Sequence, residues 1–270
     1  MANTQTKPSE FYKVRYAPDL RKLQDVVFAE VYDDYFGQSS WISTTDYDRF
    51  YGLLRLNPNS HVLDVASGWG ASALRLARQA GCSVTGVELD PQAVGSAKAR
   101  AVQLGLSKRV RFETHDANKR VPFADNTFDA VVCFDAIAHL RDRYRVFAEW
   151  SRLLKPGGRL LFTDQILTGP ISNEEIALRF PVYCLLTTPG YNERMLADAS
   201  FELLHREDIT ATLAELARRH CLARQRHAEA LRALEGDEVH ETLNQYRLVA
   251  ERLARERRLL HVVFFVQRPA

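Results

Sequence analysis

Apolar positions between residues 60 and 166 follow two alternating rhythms. The runs "HVLDV" (61–65), "SVTGVEL" (83–89), "VRFETHD" (110–116), "FDAVVCFD" (128–135) and "GRLLFTDQI" (158–166) are short and bounded by turn residues, which predicts five strands. Between them, "ASALRLARQAG", "PQAVGSAKARAVQLG" and "YRVFAEWSRLL" repeat apolar residues three or four apart, and two of these close on glycine, which predicts helices. "FELLHREDIT" (201–210) and "LLHVVFFVQ" (259–267) predict a sixth and a seventh strand. The intervening 211–257 are rich in Ala, Leu, Arg and Glu and predict a helical pair that turns at Gly236. Strands alternating with helices of this length predict an α/β fold whose parallel sheet is covered on both faces.

Residues 1–59 read differently. Their dense Tyr, Phe and Trp content predicts helices that pack over the sheet as a lid, leaving 60–270 as the main domain with the helical insert as a cap. The chain of 270 residues is 46% hydrophobic, ample for such a core. A net charge of +2 gives no electrostatic case for nucleic acid or an anionic membrane, so a small-molecule partner is expected. Cys82, Cys133, Cys184 and Cys221 form no C-x-x-C pair, which predicts reduced thiols and no metal site. No run reaches the about 18 apolar residues of a membrane span. "MANTQTKPSE" lacks the apolar core of a signal peptide, so a cytoplasmic location is expected.

In an open α/β sheet, ligands sit beyond the carboxyl ends of the strands, so the residues just after each strand carry the chemistry. After the first strand, "DVASGWG" offers Gly68 and Gly70, where backbone can approach a ligand at a helix N-terminus. After the second comes Glu88, suited to accept hydrogen bonds from ribose hydroxyls, and after the third Asp116, suited to an exocyclic amine. The structural alternative for Asp64 and Glu88 is helix capping or turn formation. A dinucleotide site would want glycine at Ala66, Gly68 and Ala71, and only Gly68 is glycine. That pattern suits a cofactor with ribose and adenine but no phosphates.

"VLDVASGWG", "VTGVELD", "THDANKRVPFADNTFDAVVCFDAIAHL" and "RLLKPGGRLLFTD" together resemble, in order and spacing, the successive motifs of class I S-adenosylmethionine-dependent methyltransferases. Within them the chain resembles the small-molecule branch of sarcosine/dimethylglycine and phosphoethanolamine N-methyltransferases and natural-product tailoring enzymes. The resemblance implies a Rossmann-like seven-stranded sheet in the order 3-2-1-4-5-7-6 with the last strand antiparallel. "LLHVVFFVQ" is indeed too apolar for an edge.

The resemblance also implies S-adenosylmethionine as cofactor and S-adenosylhomocysteine as product. Asp64 would fix the first loop and meet the methionine amine, and Ala66, Ser67, Gly68 and Gly70 would line the methionyl chain. Glu88 with Leu89 would hold the ribose, Asp116 with Ala117 would frame the adenine, and Phe134 would lie beneath the sulfonium beside Asp135. Motif members usually have glycine where this chain has Ala66. A negative φ would let alanine serve there with a less sharp turn. Tyr32, Trp41 and Ser43 are the lid candidates, with ordinary core aromatics as the alternative. Trp69 either roofs the pocket or caps the following helix.

Methyl transfer is an in-line displacement, so alignment and removal of a proton from the acceptor are the protein's tasks. Asp135 and His139 leave the fourth strand together and are the catalytic candidates, His139 as general base or as a positioning group. Tyr183, Tyr191 and Asn192 are candidates to face the acceptor, each with a surface or capping alternative. The expected acceptor is a small metabolite or natural product, methylated on nitrogen in preference to oxygen or carbon. The chain lacks the Asn/Asp-Pro-Pro-Tyr signature of base- or glutamine-modifying relatives after its fourth strand. Two alternatives stand beside this reading. One is a cyclase-like protein holding S-adenosylmethionine structurally; the other is a binding or assembly protein whose insert forms a homodimer.

Overall fold

In β1 (His61–Val65) side chains alternate strictly between two cores: Val62 enters one, while Leu63 and Val65 enter the other. The same division holds in β2 (Ser83–Glu88), β4 (Phe128–Cys133), β5 (Leu154–Leu167) and β7 (Leu259–Gln267), whereas β3 (Val110–Thr114) feeds one core only and β6 (Glu202–Asp208) is largely exposed. The computed structural model describes residues 18–180 and 183–270. The strands form one sheet in the order β3-β2-β1-β4-β5-β7-β6, as expected. β1 to β5 run parallel, and β7 runs antiparallel to both β5 and β6. Val263 and Phe265 fill one face of β7, and Val262, Phe264 and Val266 the other, so an interior place is the only one that hides both.

The helices among the described residues are α1 (Pro18–Ala29), α2 (Thr44–Leu54), α3 (Ala71–Ala80), α4 (Pro91–Gln103), α5 (Arg143–Leu153), α6 (Asn173–Arg179), α7 (Tyr191–Asp198), α8 (Thr210–Arg226), α9 (Ala228–Glu235) and α10 (Asp237–Arg255). α2, α3 and α4 cover one face of the sheet, α5 and α7 the other. Leu20, Val27, Phe28 and Val31 pack with Leu213, Leu216, Leu231 and Ala250, which joins α1 to the insert as a cap. None of these helices is long and apolar enough to cross a membrane. The expected lid begins with residues 1–17, which lie outside the described residues.

Several boundaries differ from expectation. The insert is three helices, because α8 ends at His227, where Arg226 and His227 both reach Glu30, just past α1. β5 starts four residues early, at Leu154, and a register irregularity against β4 absorbs the extra length. β3 and β4 stop two residues short, so Asp116 and Asp135 stand in the turns that follow them.

Candidate functional site

The carboxyl ends of β1, β2, β3 and β4 open on one cavity of about 270 Å³. Asp64, Ala66, Ser67 and Gly68 line it from the first turn, Glu88 and Leu89 from the second, and Asp116 and Ala117 from the third. Phe134, Asp135 and His139 line it from the fourth, and Trp41 from the segment before α2.

Asp64 is 2% exposed, and its Oδ2 has no hydrogen-bond partner. Burial lifts its carboxyl to about 7 against the pull of Ser72 and the Ala73 N–H, and the charge of Glu88 adds to the rise. Ser67 Oγ is likewise buried and unpartnered. Native interiors pair such groups, so two orphans in one wall mark a place where a ligand supplies the missing partners.

Glu88 is held by main chain alone. Its Oε2 accepts from Gly68 N at 2.9 Å, and its Oε1 from Leu89 N at 2.8 Å and Asp90 N at 3.0 Å. A carboxylate has about four acceptor sites, so one lone pair is left for a hydroxyl, and a second opens only if the Gly68 N–H turns away. Burial raises the Glu88 carboxyl despite those donors. At Gly68, φ is +53° and no atom lies within 4 Å of the position a Cβ would take. Gly70, at φ +82°, does not line the cavity. It heads α3, where a Cβ would stand 2.4 Å from the Phe112 ring.

Ala66 departs from expectation: its φ is +55°, in the left-handed region that disfavours a Cβ. The sharp turn is made anyway, secured by the Ser67 N–H on Val87 O at 3.0 Å. Ala66→Gly is therefore expected to raise stability by about 1 kcal/mol, relief of strain outweighing the added chain entropy. A chemical denaturation midpoint at or below wild type would contradict that strain.

Asp135 is also left-handed, at φ +54°, and its carboxylate is densely held. Oδ2 accepts from Trp41 N at 2.5 Å, and Oδ1 from Thr163 Oγ1 at 3.0 Å and His261 Nε2 at 2.7 Å. Burial alone would raise its pKa, but His261 with the Trp41 and Thr163 donors holds it below the usual carboxylate range. Asp135 thus remains an anion that ties the segment before α2 to the sheet. His139 ends the short turn Ile137–His139, and its Nδ1 lies 2.9 Å from Tyr183 O, so Nδ1 carries the proton and Nε2 the lone pair of the neutral ring. Burial lowers its pKa, as do the Arg179 and Arg143 cations, so the ring is neutral at pH 7.

Other candidates lie away from the cavity. Tyr32 is 3% exposed and donates to Ser40 O at 2.6 Å. Ser43 caps α2, accepting from Asp46 N at 3.1 Å. Tyr183 reaches His139 through its carbonyl, while its ring lies under the Arg141 guanidinium, 5.1 Å from the centroid. Tyr191 opens α7 and does not line the cavity. Asn192 is fully buried, its Nδ2 donating to Asp164 Oδ2 at 2.8 Å, and so cannot face an acceptor. Trp69 does line the cavity, with its indole N–H on Gly37 O at 2.8 Å.

Sequence reasoning missed His261 and Tyr246. His261 is the lone ionisable residue in "LLHVVFFVQ", and that interruption was the available signal. Tyr246 lines the cavity from α10, in a segment whose composition predicts only helix. No group of three or more metal-ligating side chains occurs among the described residues.

Comparison with known proteins matches residues 63–162 to a family described as a methyltransferase domain. The chain is 30% identical over 204 residues to phosphoethanolamine N-methyltransferase 3 of Arabidopsis thaliana, covering 75% of this chain and 40% of that protein. It is 31% identical over 169 residues to methyltransferase GfsG of Streptomyces halstedii, covering 60% of each. The chain thus spans only 40–60% of the length of these two relatives. Among solved structures, phosphoethanolamine N-methyltransferase 2 of Haemonchus contortus, in complex with phosphomonomethylethanolamine and S-adenosylhomocysteine, superposes with a TM-score of 0.81 at 19% identity. That match covers 96% of this chain and 60% of the other, and it shows a shared fold.

Proposed function

Because residues 63–162 belong to the methyltransferase-domain family, we propose that the chain methylates a small acceptor with S-adenosylmethionine, nitrogen acceptors being favoured over oxygen and carbon. One observation carries this reading: Asp64, Glu88 and Asp116, at three successive strand ends, line a single cavity whose wall holds two orphaned oxygens. The residues present fit the cofactor. Asp64 Oδ2 suits the methionine ammonium, which would also draw its pKa back down from about 7. Glu88 suits a ribose hydroxyl, Asp116 the adenine amine, and the open face of Gly68 the methionyl chain.

When bound, the sulfonium supplies an electrophilic methyl group. The protein's part is then to hold the acceptor in line, exclude water, and take a proton from a protonated nitrogen or a hydroxyl. His139 Nε2 is suited to that proton because its ring is neutral at pH 7. Asp135 places a negative charge in the wall of the cavity, where a cationic centre is favoured. Trp41, anchored on Asp135 through its backbone N–H, adds an aromatic wall to the same cavity.

Calorimetric titration with S-adenosylmethionine tests the reading. Glu88→Ala is expected to weaken binding by about 2 kcal/mol, the worth of a charge-assisted hydrogen bond together with the loop it fixes. Wild-type affinity in that variant would remove Glu88 from the cofactor site. Mass-spectrometric detection of S-adenosylhomocysteine with amine, hydroxyl and carbon acceptors then separates transfer from a purely structural use of the cofactor.

A further inference from the structure

One polar ring interrupts the apolar run of β7. His261 is fully buried, and its main chain is fixed on both sides: its N–H donates to Thr210 Oγ1 at 2.9 Å, and its carbonyl accepts from Ile209 N at 2.8 Å. Gln165 of β5 stands opposite it in the antiparallel ladder. Among the described residues the ring makes one hydrogen bond, from Nε2 to Asp135 Oδ1 at 2.7 Å, and Nδ1 is buried without a partner. Because the Asp135 carboxylate only accepts, Nε2 carries the proton. A half-satisfied imidazole in a sheet interior is costly, and an apolar side chain there would carry no such penalty. Its compensation is the contact with Asp135.

Asp135 stands in the turn after β4 at φ +54° and lines the cavity. Its Oδ1 accepts from His261 Nε2 and from Thr163 Oγ1 at 3.0 Å, whereas its Oδ2 accepts from Trp41 N at 2.5 Å. Two donors on one oxygen, from β5 and from β7, fix the plane of the carboxylate and so the direction of Oδ2. The Trp41 backbone is thus tied to the sheet, while its ring lies 5.7 Å from that of His220 on α8 and 5.9 Å from that of Tyr246 on α10. Trp41 and Tyr246 line the cavity together with Asp135. Topology separates this wall from the other end of the cavity. β4 lies two places from β2 and three from β3, so at the spacing of strands Asp135 stands about 10 Å from the strand that ends in Glu88 and about 14 Å from the one that leads to Asp116.

Resting on the methyltransferase reading above for its consequence, we propose that His261 is a positioning residue: its imidazole holds the Asp135 carboxylate, which holds the Trp41 main chain, so that a ring sealed inside the sheet sets the cavity wall against which the acceptor lies. Fully buried, the ring itself meets no ligand. Its removal frees the carboxylate to turn about its side-chain bond, and the Trp41 N–H loses a fixed acceptor. The cofactor end, built on the main-chain bonds of Glu88, stays as it was.

Hydrogen exchange in 15N-tryptophan-labelled protein, followed by NMR, tests the first link, since the chain has 3 tryptophans and Trp41→Phe assigns the resonance. In wild type the Trp41 amide is expected to be protected about a hundredfold or more relative to a free amide, and in His261→Leu to exchange about tenfold faster or more, while Trp150 inside α5 keeps its rate. His261→Gln is expected to restore protection, because its amide Nε2 can donate where the imidazole did. Calorimetric titration of each variant with S-adenosylhomocysteine is expected to give affinities within about threefold of wild type, since the sites are distant. Ethanolamine, glycine and O-phosphoethanolamine serve as acceptor probes. For any that wild type methylates, His261→Leu is expected to raise KM about fivefold or more, and His261→Gln to leave it near wild type.

Unchanged Trp41 exchange in His261→Leu overturns the proposal, as does equal loss in the Leu and Gln variants, which would mean that ring shape and not the hydrogen bond matters. Faster exchange at Trp150 as well would mark a general loss of structure and overturns it too. A Trp41 amide that exchanges freely in wild type overturns it even if the variants fail to fold. A wild-type KM beside raised Trp41 exchange overturns its consequence for the acceptor. Failure of wild type to bind S-adenosylhomocysteine refutes instead the methyltransferase reading, and the amide exchange still decides what His261 holds.

Discussion

Replacing Asp164 with alanine is expected to lower the stability of the fold by about 3–5 kcal/mol, the range for breaking a buried ion pair from one side. Asp164 lies in β5, and its side chain, like that of Arg143, has no exposure. Its Oδ2 accepts from Arg143 Nη2 at 2.9 Å, Asn192 Nδ2 at 2.8 Å and Thr187 Oγ1 at 3.1 Å, while Oδ1 accepts from Gln165 N at 2.9 Å. Removing the carboxylate strands a cation whose remaining hydrogen bond is to Ile137 O, and orphans two further side chains. The penalty comes from desolvation, so it should not diminish with added salt. Lys22→Ala, which deletes an exposed pair with Asp19, is expected to cost under about 0.5 kcal/mol. Equilibrium unfolding in urea at constant m gives both values. A loss below about 1 kcal/mol at Asp164 would mean that water or another group reaches Arg143. Because Thr187 and Asn192 belong to the segment that follows Tyr183, the network also fixes the strip of chain against which His139 is oriented.

That network explains what could and could not be read from the chain. The sheet was legible because each strand shows its burial in its own few residues: two-faced runs such as "LLHVVFFVQ" have no exposed solution. Asp64, Glu88 and Asp116 were legible because topology sends whatever follows a parallel strand to one edge of the sheet. Asn192 was misplaced because a polar residue at the start of a helix looks the same in sequence whether it faces solvent or a carboxylate 28 positions earlier. The break at His227 follows from Glu30, nearly two hundred residues away, and involves neither Gly nor Pro. At Ala66 the backbone reaches φ +55° against the preference of alanine, so local conformational cost is outweighed by the pairing of β1 with β2 and the Ser67 bond that follows it.

His139→Ala is expected to reduce turnover about a hundredfold or more while S-adenosylmethionine affinity stays nearly constant, the pattern for loss of a general base that does not hold the cofactor. The tautomer and the direction of the pKa shift both suit the ring to that role. Tyr183 O can only accept, which puts the proton on Nδ1 and leaves Nε2 basic. Burial, Arg179 and Arg143 all push the ring below its ordinary 6.5, against the Tyr183 carbonyl; the Cys184 thiol beside it, pushed up to about 12 by burial, stays neutral. The deprotonated ring is the working form, so kcat should be flat above pH 6.5 and fall only below it, as the ring gains a proton in the folded state. Linkage has the same sign for stability: a depressed folded pKa contributes stability above the unfolded value that is lost as pH falls through the folded one, so His139→Ala should unfold with less acid sensitivity. The acid limb of the kcat profile should vanish in the variant together with the rate. If rate and cofactor affinity fall in parallel, His139 positions the cofactor and takes no proton. Full turnover in the variant would leave the acceptor's own deprotonation in water as the source of the nucleophile, and the protein's contribution would reduce to alignment by Trp41 and Tyr246.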